Sequence, residues 1–462
     1  MEKTKKTFQA PHTFVILVCL IILASIATYI IPAGEFTRYV DEATGRTIVE
    51  AGSYVQIESN PISFLAIPGL VYRAIVKAAS TVTFILMIGG AFEIINETGA
   101  LTALCKRLSR MFQDKAVLVV PVFLTLFAVF GTTMGMSSEV MIFVPMGIAL
   151  ATSLGLDMVT GVAMITMGAA SGFTAGLLNP FNVGVAQEIA EVPLFSGMGY
   201  RAVILVALLA IDTVYIIWYE KRVKKHPEKS ILAGEDIAAE FVFDNGDAAI
   251  SMSQAAVLAI MGGGFALLIW GLGKKGWYFE EMSALFLVMG ILAGAVNGFG
   301  PNKIAKLFGQ GAKGITVGAL IVGVARGVEM ALSDASILDT IINAIANLVN
   351  FLPGALKAVG MFLAQSLVNC VITSGTGQAA VTMPLMTPVA DLIGLSRQTA
   401  VLAFQMGDGF SNSVLPTSSA LMGYLAVSKI PYAKWLKFMI PLFLLWTLAG
   451  CIFMLGALAI GY

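Results

Sequence analysis

Two short polar stretches, far apart in an otherwise apolar chain, carry side chains that could bind a solute or an ion. The first polar stretch is GTTMGMSSE at Gly131–Glu139, and the second polar stretch is ITSGTGQ at Ile372–Gln378. Glycines let the backbone turn sharply and approach a ligand, while hydroxyl, amide and carboxylate groups supply hydrogen bonds and cation ligands. A surface loop is the alternative, but the flanks are apolar over helical lengths. We predict a binding site that includes Gly135, Ser137, Ser138, Glu139, Thr373, Ser374, Gly375, Thr376, Gly377 and Gln378.

A proline interrupts an apolar run of helical length after each polar stretch. The first break is Asn179–Asn182, and the second break is Asp408–Ser418. A proline in a membrane helix frees backbone groups, and the helix ends created there point their dipoles at a ligand. A plain kink would explain either proline alone, whereas two kinks in corresponding places favour binding. The residues predicted to bind here are Asn179, Pro180, Asn182, Asp408, Ser411, Asn412, Ser413, Thr417 and Ser418.

Two acids, Glu139 and Asp408, belong to these features. An ionisable side chain at bilayer depth is costly, which makes it a candidate for function. Each carboxylate could balance a cationic group of the substrate, bind Na+ or carry a coupling proton. A Na+ site would lie near Ser138, Glu139, Thr376 and Asp408, and no cofactor other than a coupling Na+ or H+ is expected.

Other charged residues within apolar segments have a simpler interpretation. Glu93, Arg326, Glu329 and Asp334 fall in a predicted helix of the first half and in its counterpart in the second half. There we favour a structural ion pair, in which Arg326 contacts either Glu329 or Glu93. Asp212 is ambiguous between the structural and the functional role.

The polar stretches are part of a repeat that relates the two halves of the chain. Four landmarks recur at the same spacing of 239 residues: Pro145 and Pro384, Gly155 and Gly394, Thr160 and Thr399, Gly168 and Gly407. In an apolar chain, such a repeat is typical of a secondary transporter whose substrate lies between two related halves.

Composition supports a membrane protein. Hydrophobic residues make up 58% of the 462 residues and charged residues 12%, whereas a soluble chain has about 25% charged residues. The mean hydropathy is +0.87. A net charge of zero gives no electrostatic case for nucleic acid, and four scattered cysteines with two histidines exclude a disulfide framework or a Cys/His metal site.

Lys and Arg near helix ends favour the cytoplasmic side and therefore set the membrane orientation. Placing the basic clusters inside predicts about nine full spans plus two re-entrant hairpins, with the N-terminus cytoplasmic and the C-terminus outside. The predicted spans are about 13–32, 79–97, 158–190 (broken), 199–219, 252–272, 283–299, 317–332, 397–427 (broken) and 436–460. The hairpins are about 116–156 and 359–395, an outer loop covers 34–60, and interface helices are expected at 101–112 and 337–352.

These elements divide the chain into three parts. Residues 1–219 form the first repeat, and residues 220–272 form a cytoplasmic linker followed by an extra helix. Residues 273–462 form the second repeat, which is inverted relative to the first because an odd number of spans lies between them.

In its motifs the chain resembles the YfcC family of bacterial inner-membrane transporters, within the superfamily of anaerobic C4-dicarboxylate carriers and ion transporters. The resemblance covers nearly the whole length. It implies an all-α inverted-repeat fold, a homodimer, elevator motion, and a substrate and coupling ion held by hairpin tips and helix breaks. Related members are richer in acid where this chain has Ser137-Ser138, so substrate choice does not transfer by residue. The motifs are PHTFVIL at 11–17, ATYIIPAGEF at 27–36, GMSSE at 135–139, NPFNVGVAQEIAEVP at 179–193, TSGTGQAAVTMPLMTP at 373–388 and FQMGDGFSNSVLPTSSALM at 404–422.

The sequence therefore predicts a secondary active transporter of a small organic solute. The resemblance suggests basic amino acids, including arginine/ornithine exchange, while more distant relatives move C4-dicarboxylates. A dicarboxylate is expected to bind to Lys or Arg side chains, and neither polar stretch contains either residue. We therefore favour an amino acid, by exchange or ion-coupled uptake, and keep a dicarboxylate or other organic anion as the alternative. An ion channel fits less well, because channels rarely need two inverted hairpins with different polar side chains. An embedded enzyme fits less well, because neither His12 nor His226 lies near the polar stretches to serve as a base or a metal ligand.

Overall fold

Helices dominate the computed structural model, which describes residues 13–40, 47–50, 52–101, 103, 104, 107, 116–234, 250–275, 277, 279–352, 356–392 and 394–462. In the first half the helices are α1 Thr13–Ala27, α2 Ile67–Lys77, α3 Ala79–Glu97, α4 Val119–Met134, α5 Val144–Ser153, α6 Met158–Ala175, α7 Val185–Ile189 and α8 Met198–Lys225. In the second half they are α9 Met252–Trp270, α10 Phe279–Val296, α11 Pro301–Asp334, α12 Leu338–Asn350, α13 Leu356–Asn369, α14 Gly375–Leu392, α15 Arg397–Ser411, α16 Ser419–Ser428 and α17 Tyr432–Ile460.

The protein is a multi-pass membrane protein, as its composition predicts. Within the described residues, seven helices have the length and hydropathy to cross a bilayer, namely α3, α4, α6, α8, α10, α11 and α17. The pair α15 and α16 is interrupted at the second break, and α1 has only 15 residues. Helix α4 reaches this length together with the helical turn that precedes it, because residues 116–133 form one apolar helical stretch of 18 residues that is long enough to cross alone. The count of nine spans and the re-entrant character of the hairpins therefore stay predictions.

The spacing of 239 residues reappears in the backbone geometry. Gly155 and Gly394 both adopt the left-handed conformation, with φ of 69° and 73°, which glycine adopts without steric cost. Asp157 then caps the N-terminus of α6, accepting a backbone N–H at 2.7 Å, and Ser396 caps α15 in the same way at 3.0 Å. Each cap satisfies an amide that the helix leaves unpaired. Both broken helices are thus preceded by a left-handed glycine and begin with a side-chain cap.

The helix crossings repeat as well. Helix α4 packs on α6, as α13 packs on α15, and α5 packs on α6, as α14 packs on α15. At the crossings the backbones approach closely: a Cβ at Gly168 would lie 2.5 Å from the carbonyl oxygen of Leu124, and one at Gly407 would lie 2.5 Å from Cβ of Gln365. Small residues permit such contacts between membrane helices. Each hairpin is therefore held tightly against the broken helix that follows it.

A second group of helices flanks these hairpin bundles. Helix α11 packs on α1, α2 and α3, and α3 also contacts α10. Leu17, Ile21, Leu70 and Ala74 are fully buried where α1 and α2 meet α11. Helix α16, which follows the second break, contacts α3, α5 and α11. Because α16 directly follows the second break, this break lies next to the flanking group of helices.

The region 34–60 is not the simple loop that we expected. Strand β1 (Gly34–Glu35) pairs with β4 (Val55–Gln56), and β2 (Arg38–Val40) pairs with β3 (Thr47–Val49), all antiparallel. Strands of two or three residues are too short to give an alternating pattern, so the sequence did not reveal them. They qualify the all-α prediction only at the edge of the molecule.

Three helix bounds differ from expectation by five residues or more, and the first of them is the end of α1 at Ala27 instead of about residue 32. Helix α11 starts at Pro301 and has 34 residues, whereas we expected about 317, because the lysines at 303, 306 and 313 suggested a loop. An exposed helix face tolerates lysines; Lys303 contacts Glu97 at 3.1 Å. Helix α8 continues to Lys225, beyond the predicted end at about 219. The predicted interface helix at 101–112 lies largely outside the described residues.

Candidate functional site

Both polar stretches and the second break meet at one cavity of about 330 Å³, beside α2, α3 and α11. This volume is at the lower end of the range for small-molecule sites. The structure brings together there residues that are more than 200 positions apart in the sequence. The predicted residues that line the cavity are Gly135, Ser137, Ser138, Glu139, Thr373, Ser374, Gly375, Thr376, Asn412, Thr417 and Ser418.

In the first polar stretch, the backbone leaves α4 through Gly135, whose φ of 64° is left-handed. Glu139 then folds back, and its Oε2 accepts the backbone N–H of Ser137 at 2.9 Å. The hydroxyl of Tyr424, on α16, donates to the carbonyl oxygen of Ser137. One hydrogen bond thus holds the N–H of Ser137 and another holds its carbonyl oxygen. The carboxylate of Glu139 is kept at the cavity wall.

The second polar stretch forms the turn between α13 and α14. The side chain of Ser374 accepts the backbone N–H of Gly377 at 3.3 Å, and its carbonyl oxygen accepts that of Gln378 at 2.7 Å. Thr417 of the second break donates to the carbonyl oxygen of Cys370 at 3.3 Å. Helix α14 begins at Gly375, in the cavity wall. The positive end of its dipole therefore faces the cavity.

Asp408 lies directly beneath the second polar stretch and is fully buried. A Cβ at Gly375 would lie 2.7 Å from Oδ2 of Asp408, so the turn and the carboxylate are in close contact. Asn182 of the first break donates to Oδ2, and Asn412 donates to Oδ1 at 3.1 Å. Asn369, at the end of α13, donates to the carbonyl oxygen of Asp408 at 3.1 Å. This carboxylate joins both breaks to the second hairpin.

Unpaired oxygen atoms belong to residues that contact Asp408 or its neighbour Gly409. Oδ1 of Asn182, of Asn369 and of Asn412 are buried without a hydrogen-bond partner, and so is Oγ1 of Thr174, which lies against Gly409. In the part of the chain that the structure describes, no Lys, Arg or His forms an ion pair with Asp408. Buried oxygens without donors are costly unless a proton or a cation satisfies them. Hard cations such as Na+ prefer oxygen ligands of these kinds.

Seven predicted residues are not part of the cavity wall in the part of the chain that the structure describes, and their contacts indicate how they support it. Gln378 is buried and donates to Oε1 of Gln365 on α13 at 2.7 Å, joining the two arms of the hairpin. Ser411 donates to the carbonyl oxygen of Gly407, and the carbonyl oxygen of Ser413 accepts the indole N–H of Trp435. The seven are Asn179, Asn182, Gly377, Gln378, Asp408, Ser411 and Ser413, while the side chain of the predicted residue Pro180 lies outside what the structure describes.

The first break has its own local geometry. Residues Pro180–Gly184 form one wide helical turn before α7. The side-chain oxygen of Asn179 accepts the backbone N–H of Asn182 at 3.2 Å. This bond orients Asn182, whose amide reaches Asp408 more than 200 residues away in the chain. The first break thus contributes to the carboxylate site rather than to the cavity wall.

Two cations in the cavity wall were missed as site residues. Lys77 ends α2, and Arg326 lies on α11. The ion pair that we predicted for Arg326 exists, since its Nη1 donates to Glu329 at 2.9 Å. The structural interpretation was incomplete, however, because Arg326 also faces the cavity. The sequence did contain a sign of this role, because an ionisable side chain within an apolar membrane segment is by default a candidate for function.

Other wall residues were also outside the prediction. Ser80 and Thr81 add hydroxyl groups from α3, while Phe173, Trp277 and Phe279 add aromatic surface. The sequence offered no signal for them, because an aromatic residue near a helix end is common in membrane proteins. The finished cavity combines aromatic walls, hydroxyl groups, one carboxylate and two cations.

A polar cavity lined in part by membrane-length helices, with charges of both signs in its wall, is typical of a membrane transport protein for a small solute. The chain belongs to the C4-dicarboxylate anaerobic carrier family, DcuC, whose family description matches residues 10–459. It is a family of carriers and not of enzymes, as the sequence predicted.

Full-length relatives support the same assignment. The chain is 33% identical over 499 residues to the Escherichia coli (strain K12) protein named "Putative basic amino acid antiporter YfcC", covering 100% of this chain and 99% of that one. The resemblance to the YfcC family is thereby confirmed. It is also 28% identical over 502 residues to a Haemophilus influenzae protein named only "Uncharacterized protein", covering 99% and 97% of the two chains.

Two solved structures are similar to this one. The YdaH transporter of Alcanivorax borkumensis aligns with a TM-score of 0.43 at 15% identity, over 98% of this chain and 99% of that one. MtrF of Neisseria gonorrhoeae, described as one of a class of antimetabolite efflux pumps, also gives 0.43, at 16% identity over 97% and 95%.

Proposed function

We propose that this protein is a secondary active transporter of an amino acid in the bacterial inner membrane. The supporting observation is the mixed charge of the cavity, where Glu139 lies in the same wall surface as Lys77 and Arg326. A zwitterion carries both an ammonium and a carboxylate, and each finds a group of opposite charge here. The name of the Escherichia coli relative, a basic amino acid antiporter, agrees with this class and suggests exchange or ion-coupled uptake.

A C4-dicarboxylate or other organic anion is the second candidate. Its support is that Lys77 and Arg326 meet the N-termini of α14 and α16 at the cavity, since Gly375 and Ser419 both line it. Cations and helix N-termini both favour anions. The family description names C4-dicarboxylates. Glu139 weighs against this candidate, because a second carboxylate in the wall would repel a dianion.

We further propose that the coupling ion, Na+ or H+, binds at Asp408. The unpaired oxygens of Asn182, Asn369, Asn412 and Thr174 next to this carboxylate support the assignment. The site lies beneath Gly375, so an ion there would stabilise the second polar stretch against the second break. Ser138, Glu139 and Thr376 belong to the cavity above and are the alternative place for the ion.

The proposed architecture completes this picture. Both hairpins are re-entrant, the two repeats are inverted, and the bundle of hairpins and broken helices moves as an elevator against the flanking helices. The N-terminus is cytoplasmic, the C-terminus is outside, and the protein works as a homodimer. Support comes from the repeated caps and crossings described above and from the family membership.

Counterflow in proteoliposomes tests the proposed function. Vesicles loaded with a panel of unlabelled amino acids and dicarboxylates are diluted into labelled solutes, one solute at a time. We expect the wild type to accumulate labelled amino acid. Asn412→Ala should not accumulate it, because the substitution removes a hydrogen-bond donor to Asp408. Accumulation of dicarboxylates alone would select the second candidate, and ohmic currents without counterflow would indicate a channel.

A further inference from the structure

We infer that Arg326 and Lys77 form a carboxylate-binding subsite in the cavity, on the side of the flanking helices. This inference deepens the proposed function and rests on it, because it specifies which group of the solute binds where. Lys77 comes from the end of α2 and Arg326 from the middle of α11, and these helices pack on each other. Neither residue belongs to the hairpins or breaks.

The charge balance of this subsite favours an anion. Arg326 and Lys77 share one acid, Glu329, which accepts from Nη1 of Arg326 at 2.9 Å and lies 4.0 Å from Nζ of Lys77. Two cations and one carboxylate leave a net charge of about +1 in this cluster of Arg326, Lys77 and Glu329. Within the described residues, Glu139 of the cavity wall forms no ion pair with either cation, and Asp334, further along α11, is in an ion pair with Arg73 at 2.9 Å. The excess positive charge therefore remains for a bound solute.

The geometry of Arg326 also fits a carboxylate. Within the described residues, Nη1 is the guanidinium nitrogen with a hydrogen-bond partner, which leaves Nε and Nη2 without one. A guanidinium presents its donors as a rigid fork that matches the two oxygens of a carboxylate. The contact with Glu329 restricts the rotation of Arg326, so less conformational freedom is lost when a solute binds. Glu329 is thus a positioning residue for Arg326.

The surroundings strengthen the field at this place. Ser418 and Ser419, at the start of α16, line the same cavity, and α16 packs on α11. The N-terminus of α16 adds partial positive charge to the side of Arg326. Arg326 is 34% exposed and Lys77 47% exposed in their side chains. Both can therefore reach a solute without unfolding the wall.

The test pairs a protein variant with a change in the ligand. Binding of L-arginine and of its carboxyl amide, L-argininamide, is measured on the purified full-length protein, wild type and Arg326→Gln. We expect the wild type to prefer L-arginine, and Arg326→Gln to weaken L-arginine binding about 10- to 100-fold while changing the amide little. Arg73→Gln is the matched control, because it removes a cation and its ion pair with Asp334 between the same two helices, α2 and α11, at a residue outside the described cavity lining; it should preserve the preference.

The outcomes separate the subsite from the proposed function. Equal loss of both ligands in Arg326→Gln, or no loss, would overturn the subsite even if the protein carries amino acids. If the wild type binds no amino acid, the amino-acid proposal fails, and succinate against succinamate then tests the same carboxylate subsite. Should Arg326→Gln not fold, Arg326→Lys and Lys77→Gln give the same comparison. The subsite is refuted if neither L-arginine and its amide nor succinate and succinamate differ in how they respond to these substitutions.

Discussion

Replacing Asp408 with Asn removes a charge from the proposed ion site while keeping the shape of the side chain. Asp408 accepts from the amides of Asn182 and Asn412. An Asn at this position would present one NH2 group where an oxygen now accepts. Asn182 can compensate, because its own Oδ1 is unpaired and a rotation of its amide would turn that oxygen toward the new donor. We therefore expect the fold to tolerate the substitution.

The magnitudes differ strongly between stability and function. A repaired hydrogen bond leaves a change in unfolding free energy of about 1 kcal/mol or less. Loss of the carboxylate removes an attraction to a bound cation of about 4 kcal/mol, for unit charges 4 Å apart at an effective dielectric constant of 20. By the usual conversion this corresponds to roughly a thousandfold loss of ion affinity. Asp408→Asn should thus fold like the wild type but lose coupling.

The assay is uptake of labelled substrate into proteoliposomes under imposed Na+ and H+ gradients, beside thermal unfolding of the same preparations. Asp391→Asn is the matched control: this acid is exposed at the end of α14 and pairs with Arg397 at 2.9 Å, and such surface pairs contribute about 0–1 kcal/mol. We expect uptake like the wild type in the control and no gradient-dependent uptake in Asp408→Asn. Gradient-dependent uptake at the wild-type rate in Asp408→Asn would refute the ion site.

Two glycine substitutions test the close contacts of the hairpins. Gly375→Ala would place a Cβ 2.7 Å from Oδ2 of Asp408, so we expect uptake to fall at least about tenfold with little loss of stability, measured by transport and thermal unfolding. Gly168→Ala would place a Cβ 2.5 Å from the carbonyl oxygen of Leu124; here we expect about 1–3 kcal/mol of destabilisation, seen as a lower melting temperature. Gly377→Ala, with its nearest contact at 3.4 Å, is the control for both, and equal behaviour of all three variants would contradict the packing argument.

Part of the site could be predicted because its signals are local. The glycines and hydroxyls of the two polar stretches stand out against apolar flanks, and the structure places Ser137, Glu139, Ser374 and Thr376 at one cavity. Such residues are recognisable singly, since irregular polar backbone in a membrane protein has to line a cavity or contact protein. The bounds of α3 could be predicted from local sequence too, because Ala79–Glu97 is a mostly apolar run of membrane-spanning length.

The prediction failed where a role depends on contacts between distant segments. Arg326 has an ion-pair partner three residues away, and from the sequence that partner was a sufficient explanation. Its position in the cavity wall depends on how α11 packs against α2 and α16. In the same way, no local feature of Asn182 indicates that its amide reaches Asp408. Periodicity reports which face of a helix is apolar, and not which helix it meets.

The sequence by itself determined that this protein lies in a membrane, that the same landmarks recur 239 residues apart in its two halves, and which turns interrupt its helices. These properties follow from hydropathy, glycine and proline, which act within a few residues along the chain. Only the tertiary structure decided that the cavity carries charges of both signs and that a buried carboxylate joins both helix breaks. The physical reason is that charge interactions depend on distance in space, and helix packing sets that distance.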